Sequence, residues 1–170
     1  MILVTGFGPF PGVVDNPSGD VARAVDGRTV GGRPVVGLVL PVLWRRGPEL
    51  AIEAANALGA ELVVGLGVAT TRAVLDVETL GFRGWDPQPD ADGCYPDDRD
   101  GPDVVGATLD SAALADGLGA RISRDAGRYV CNAWLYQVAR GLPAARVGFV
   151  HMPAAGLDPE LLLRALARLV

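Results

Sequence analysis

The sequence predicts an α/β fold, a three-layer α/β/α sandwich around a mixed, largely parallel twisted sheet. Apolar segments of strand length alternate along the chain with segments that have the apolar spacing of helices. The strand segments are almost continuously apolar, which is typical of parallel strands covered by helices on both faces. At 170 residues the chain has the size of one domain, so residues 1–170 are expected to form a single domain.

The first half of the chain is predicted to contain three strands and two helices. Met1 to Thr5 is a short apolar strand. Asn16-Pro17-Ser18 is typical of a helix start, because Asn caps the first turn and proline fits its first position. Buried strands over Val35 to Val42 and Glu61 to Leu66 flank a helix over Gly47 to Leu58.

The second half begins with two irregular stretches. Arg72 to Leu80 alternates in polarity and is predicted to be an extended arm with Asp76 and Glu78 on one face. Gly84 to Gly106 is rich in Pro, Asp and Gly and is predicted to be a long loop that could cover a site. The remaining predicted elements are a helix over Ser111 to Leu118, a strand over Arg121 to Arg124, a helix over Asn132 to Ala139, a strand over Arg146 to His151 and a helix over Asp158 to Val170.

Composition excludes several classes of function. The net charge is −5 and the basic residues are scattered, so no nucleic-acid partner is expected. The longest apolar runs are of strand length, so no membrane span is expected. The chain has no lysine, which excludes Schiff-base chemistry. Its opening segment has no basic region before the apolar residues, so a cytoplasmic location is expected.

Cys131, His151 and Glu78 are candidates for a catalytic site. Cys131 precedes a helical stretch, and the positive end of a helix favours a thiolate. His151 ends a buried strand, where ligands bind in open α/β sheets, and Glu78 closes the predicted arm. A cysteine nucleophile needs a base and a third group that orients the base. Spacing alone leaves the alternatives open: a buried, inert thiol, a hydrogen-bonded core histidine and a solvated carboxylate.

Other features carry weaker signals. Cys94 lies among carboxylates, including Asp97 and Asp98, which disfavour a thiolate. Two cysteines and one histidine are too few for the common Cys/His zinc sites. Gly6 to Gly12 is rich in glycine, but its two prolines remove amides that a phosphate would need. Phe7 and Phe10 within it suggest an apolar pocket wall, with ordinary core packing as the alternative.

Four segments in order along the chain resemble pyroglutamyl peptidase I, or pyrrolidone-carboxylate peptidase, a family of cytosolic cysteine exopeptidases. The opening Thr5-Gly6-Phe7-Gly8-Pro9-Phe10 and the later Asn16-Pro17-Ser18 are similar to the family's first signature. Gly67 to Glu78 resembles the segment that ends in the catalytic glutamate of the family. Ser123 to Asn132 resembles its cysteine motif, and Phe149 to Pro153 resembles the segment that carries its histidine.

The resemblance implies removal of an N-terminal pyroglutamyl residue from peptides through a thioacyl-enzyme intermediate. Cys131 would be the nucleophile, His151 the general base and then the general acid, and Glu78 the group that orients the histidine. The backbone N–H of Cys131, at a helix start, would serve as an oxyanion donor. No metal and no organic cofactor are implied.

The resemblance also implies a pocket for a neutral five-membered lactam. Phe7 and Phe10 suit its apolar walls, and Asn16 is placed to supply an amide contact. The pocket of an aminopeptidase would instead need an anion or a metal for the free amine.

The chain departs from the family pattern in places. The family's arginine after the catalytic glutamate is missing from Asp86 to Asp92, and Arg83 would have to replace it. The chain is shorter than usual between Pro153 and the last helix, so a homo-oligomer is left open. Two alternatives also remain: a non-catalytic protein that binds pyroglutamate or small peptides, and a thiol amidase with another small amide substrate.

Overall fold

The computed structural model describes residues 1–97 and 100–170. Its strands are β1 (Ile2–Phe7), β2 (Thr29–Val30), β3 (Arg33–Leu40), β4 (Leu62–Val68), β5 (Asp76–Glu78), β6 (Leu80–Phe82), β7 (Val104–Gly106), β8 (Arg121–Ser123) and β9 (Arg146–Met152). Its helices are α1 (Pro17–Val25), α2 (Arg46–Leu58), α3 (Ser111–Leu118), α4 (Val130–Gly141) and α5 (Pro159–Leu166).

Seven of these strands form one sheet in the order β2-β3-β1-β4-β9-β5-β8. The four central strands β3, β1, β4 and β9 are parallel to one another. At one edge β2 is antiparallel to β3, and on the other side β5 is antiparallel to β9 and parallel to β8. The predicted mixed, largely parallel sheet is therefore confirmed.

Helices cover both faces of this sheet. Alternate residues of a strand point to opposite faces, so Ile2 and Val4 of β1 pack with α1, α3 and α5, whereas Leu3 and Phe7 pack with α2 and α4. Each face has its own cluster of buried apolar side chains. The predicted three-layer sandwich is confirmed, and the face covered by α4 carries the candidate site.

The helix starts follow the local sequence. Asn16 caps α1, and its side-chain oxygen accepts a hydrogen bond of 3.2 Å from the backbone N–H of Ser18. Asp158 caps α5 in the same way. The longest helix, α2, has 13 residues. None of the helices in residues 1–97 and 100–170 is long and apolar enough to cross a lipid bilayer.

Three predictions about the elements are wrong in detail. The predicted extended arm is in part a strand of the sheet, because Asp76–Glu78 forms β5 between β9 and β8. The predicted loop from Gly84 to Gly106 ends in β7, which pairs with β6. The predicted helix from Asn132 begins earlier, at Val130, so Cys131 lies inside its first turn. Strands of three residues are too short to show a periodic pattern, and their pairing depends on distant parts of the chain.

Close packing of α1 against β1 requires glycine at position 6. A Cβ atom added to Gly6 would lie 1.9 Å from the backbone oxygen of Ser18, which α1 cannot avoid without moving. We therefore expect Gly6→Ala to lower the free energy of unfolding by about 3 kcal/mol, measured by urea denaturation. Gly84→Ala is the control, because an added Cβ there meets no atom within 4 Å. Equal urea midpoints for the two variants would contradict this account of the packing.

Candidate active site

The three predicted catalytic side chains come from three different elements. Cys131 lies in the first turn of α4, His151 near the end of β9 and Glu78 at the end of β5. In the antiparallel pairing of β5 with β9, Glu78 is opposite Phe149, and Asp76 is opposite His151. Opposite residues of an antiparallel pair share a face, so Glu78 lies diagonally across from His151.

This arrangement places the three groups in a continuous line. Nδ1 of His151 lies 2.8 Å from Oε1 of Glu78. The sulfur of Cys131 is close enough to the same ring to raise the pKa of His151. Because the carboxylate engages Nδ1, the other ring nitrogen is left for the sulfur. The structure thus joins sulfur to imidazole and imidazole to carboxylate.

Burial and neighbouring charges shift the pKa of the His151 imidazole in opposite directions. His151 is 4% exposed, and its burial alone would lower its pKa. The charge of Cys131 and hydrogen bonds to Cys131 and Glu78 outweigh burial, and together they raise the pKa of His151 to about 9. At neutral pH the imidazole therefore holds its proton between the sulfur and the carboxylate.

A glycine on the neighbouring strand makes room for the thiol. Gly67 of β4 is paired in register with His151. A Cβ atom added there would lie 2.8 Å from the sulfur of Cys131 and 2.8 Å from the ring of Phe149. The absence of a side chain at Gly67 therefore lets the sulfur lie over the sheet next to the imidazole.

The start of α4 provides backbone N–H groups beside the sulfur. The first N–H groups of a helix have no partner within the helix. The capping residue of α4, Tyr129, makes no side-chain hydrogen bond to the first turn. The N–H of Cys131 is thus in a position to bind a developing oxyanion, and the helix dipole favours negative charge there.

Cys131 borders a small cavity that is mostly apolar. The cavity is lined by Phe7, Phe10, Asn16, Val42, Val68, Tyr129, Val130 and Cys131. Its volume is ≈ 50 Å³, roughly the room of three to five water molecules. A five-membered ring is of this size. The structure therefore brings all three predicted binding residues to the same cavity as the predicted nucleophile.

Asn16 has most of its hydrogen-bonding capacity occupied within the protein. Its side-chain oxygen accepts from the backbone N–H and the hydroxyl of Ser18, at 3.2 and 2.8 Å. Its Nδ2 donates to the backbone oxygen of Gly8 at 3.0 Å. One N–H of the amide is left for a ligand, since a primary amide carries two.

The sequence analysis missed Arg72 as a member of the site. One nitrogen of its guanidinium group, Nη1, lies 2.6 Å from Oε1 of Glu78 and 2.8 Å from Oδ2 of Asp76. The other, Nη2, donates to the backbone oxygen of Asp125 at 2.7 Å. The one available signal was the alternation that puts Asp76 and Glu78 on one face, since two buried carboxylates need a cation nearby.

The predicted loop supports one wall of the cavity through aromatic side chains. The ring of Trp44 lies edge-on to Tyr129 at 5.0 Å and stacks on Trp85 at 5.7 Å, measured between centroids. Buried Asp90 accepts a hydrogen bond of 3.2 Å from the backbone N–H of Trp44. The hydroxyl of Tyr129 donates to the backbone oxygen of Pro89 at 3.1 Å. The first half of the loop is therefore fastened to the site.

Two other predicted residues lie apart from the cavity. Arg83 forms an ion pair of 2.8 Å with Asp103 and lines a wider cleft, not the cavity at Cys131. The exposed Cys94 donates its backbone N–H to Asp90 at 2.9 Å. Asp98, which was expected to act on Cys94, lies outside the described residues.

Comparisons with known proteins agree in pointing to one family. The family model described as pyroglutamyl peptidase matches residues 1–160. The pyrrolidone-carboxylate peptidase of Mycobacterium marinum is 36% identical over 182 aligned positions, which cover 94% of this chain and 82% of that protein. The pyrrolidone carboxyl peptidase structure from Thermococcus litoralis superposes with a TM-score of 0.87 at 28% identity, covering 98% of this chain and 90% of that one.

The two cysteines should differ in reactivity. Near neutral pH we expect iodoacetamide to modify Cys131 at least about tenfold faster than Cys94, because Cys131 lies beside the imidazole of His151 in the first turn of α4, whereas Cys94 lies outside the site. Peptide mass spectrometry of a labelling time course measures both rates in one sample. The same course in urea should remove the difference, since it depends on the fold. Equal rates in the folded protein would contradict an activated Cys131.

Proposed function

The chain belongs to the pyroglutamyl peptidase family, and on that premise we propose that it removes an N-terminal pyroglutamyl residue from peptides as a cysteine exopeptidase. One observation carries the proposal: the line from Glu78 through His151 to Cys131 ends at a small, mostly apolar cavity. A cysteine sulfur, an imidazole that takes up its proton and a carboxylate that orients the imidazole are the set that thiol-dependent hydrolysis of an amide requires.

Acylation begins with the sulfur of Cys131. The thiolate attacks the carbonyl carbon that follows the lactam ring, and the carbonyl oxygen becomes an oxyanion that the N–H of Cys131 stabilises. The carbon–nitrogen bond then breaks, and His151 donates its proton to the departing amine. The products of this half are a thioester on Cys131, a neutral imidazole and the shortened peptide.

Deacylation returns the site to its starting state. The neutral imidazole of His151 takes a proton from a water molecule, and the resulting hydroxide attacks the thioester carbon. The carbon–sulfur bond breaks, free pyroglutamate leaves, and the thiolate again lies beside an imidazolium. Glu78 holds the ring through Nδ1 in both halves and stabilises its charged form.

The cavity supports selection of a lactam over a free amine. None of the side chains that line it is a carboxylate, the group that would pair with the ammonium of a free N-terminus. Its aromatic and aliphatic walls, with Phe7 and Phe10 among them, suit a neutral ring. The free N–H of Asn16 is available to the lactam carbonyl.

A cytoplasmic location is part of the proposal. Both cysteines, Cys94 and Cys131, are free. Free cysteines are typical of the reducing cytoplasm, which keeps a thiol nucleophile reduced.

Replacement of the nucleophile tests the reaction directly. We expect the wild type to hydrolyse a chromogenic pyroglutamyl amide but not the matching alanyl amide. We expect Cys131→Ser to lower kcat/KM by about a thousandfold or more, because a neutral hydroxyl is a far weaker nucleophile. Cys94→Ser is the matched control and should keep wild-type activity, since Cys94 is exposed and outside the cavity. An inert wild type that still binds pyroglutamate would instead favour a binding protein.

The proton on His151 predicts the alkaline limb of the pH profile. Its raised pKa means that the imidazolium is present below about pH 9 and is lost as the pH rises through that value. We therefore expect kcat/KM for the pyroglutamyl amide to fall with a midpoint near 9, because the departing amine loses its proton donor. Initial rates measured from pH 5 to 11 define this limb. Constant kcat/KM through pH 10.5 would contradict the assignment of His151 as the acid.

A further inference from the structure

Charged side chains of alternating sign extend from the candidate site to the edge of the sheet. Arg121 of β8 binds both oxygens of Asp76, at 2.9 and 3.0 Å. Arg72 bridges Asp76 and Glu78 at 2.8 and 2.6 Å. Glu78 then contacts His151 at 2.8 Å. Arg121, Asp76, Arg72 and Glu78 thus form a continuous series of ion pairs.

We propose that Asp76 is a positioning residue for the reaction: by holding Arg72, it determines how much of the negative charge of Glu78 is available to His151. This inference rests on the proposed function, because it assigns Asp76 an effect on the acid and base of that reaction. Asp76 itself does not line the cavity.

Arg72 and His151 compete for the same carboxylate oxygen. Both bind Oε1 of Glu78, at 2.6 and 2.8 Å. The other oxygen, Oε2, is buried and has no hydrogen-bonding partner among the described residues. An arginine on Oε1 stabilises the carboxylate but repels the positive charge of a protonated His151 at the same oxygen. A group that draws Arg72 away from Glu78 therefore stabilises the imidazolium.

Asp76 is suited to draw Arg72 away because it is buried and stays ionised. It is 2% exposed, and burial alone would raise its pKa. Hydrogen bonds from Arg121 and Arg72 outweigh burial, so its pKa is lowered. An unpaired carboxylate at this depth would be strongly destabilising, so Asp76 and the two arginines are held together.

Backbone pairing fixes the position of Asp76 relative to His151 and Glu78. It lies opposite His151 in the pairing of β5 with β9 and two residues before Glu78, on the same face. Arg72 is fastened further by its 2.7 Å hydrogen bond to the backbone oxygen of Asp125, in the segment that leads to α4. The guanidinium therefore cannot follow Glu78 freely when Asp76 is changed.

Few other charged or titratable groups act on His151. Cys131 faces it from α4, and Glu78 and Asp76 face it from β5. Its neighbour in register on β4 is Gly67, and its ring contact on β9 is Phe149 at 5.0 Å, both uncharged. Tyr129, which interacts with Cys131, is a further titratable side chain near the sulfur.

The test measures the titration of His151 directly. His151 is the only histidine in the chain, so its imidazole signal in NMR needs no assignment by mutation. In Asp76→Asn the side chain keeps its shape and loses its charge, so Arg72 stays in place with Glu78 as its one carboxylate partner among the described residues. We expect the pKa of His151 to fall by about one unit. We expect the alkaline limb of kcat/KM to move down by the same amount.

A second variant predicts a shift of the opposite sign. Arg121 is mostly exposed. In Arg121→Gln, Asp76 keeps its ion pair with Arg72 and loses the one with Arg121. We expect this variant to fold and to raise the pKa of His151 by a smaller amount. Asp116→Asn is the matched control, because it breaks an exposed Arg–Asp pair with Arg168 far from the site, and it should leave the titration unchanged.

A third comparison distinguishes two ways in which Asp76 could change the pKa of His151: through Arg72, or directly through its own negative charge. In an Arg72→Gln background, we expect Asp76→Asn to shift the titration by less than half as much as in the wild type. Equal shifts in the two backgrounds would overturn the inference, and so would an unchanged titration in Asp76→Asn.

The NMR measurement does not depend on turnover, so the two proposals can fail separately. If the wild type hydrolyses the pyroglutamyl amide but Asp76→Asn leaves the NMR titration and the alkaline limb in place, the inference is overturned and the proposed function stands. If the wild type is inert while the titration shifts as expected, the effect of Asp76 on His151 is supported and the proposed function fails.

Discussion

The contact between the buried carboxylate of Glu78 and the buried imidazole of His151 is the interaction on which the rest of the site depends. Both side chains are almost completely inaccessible to solvent, and burial of an unpaired charge costs several kcal/mol. The pair is stable only because Arg72 and the Cys131 sulfur complete the charge balance around it. The further charged groups around Glu78 and His151 are therefore a consequence of burying this pair.

The antiparallel insertion of β5 next to β9 is the feature of the fold that makes this contact. A strand at this position with only three residues presents Asp76 and Glu78 to the same face as His151 and Phe149. The same face is covered by α4, whose first turn carries Cys131. One short strand thus brings a carboxylate from residue 78 to an imidazole at 151 and a thiol at 131.

Glycines and aromatic side chains then shape the space around the reacting atoms. Gly67 leaves room for the sulfur, and Gly65 leaves room for the rings of Trp134 and Phe149. Tyr129 forms one wall of the cavity, Trp44 packs edge-on against it, and the loop that contains Asp90 holds Trp44 in place. The sheet and the first turn of α4 thus fix the catalytic groups, whereas the loop supports the cavity wall through Tyr129.

The sequence by itself determined the layers, the main strands and helices and the three candidate catalytic residues, because long apolar segments, the Asn16 cap and ordered motifs are local signals. Only the tertiary structure decided that β5 lies inside the sheet, that Arg72 and Asp76 belong to the site and that Arg83 does not. These outcomes depend on contacts between residues far apart in the chain, such as Asp76 with Arg121. A three-residue strand or a single arginine carries no periodic pattern, so its partners are fixed only when the sheet assembles.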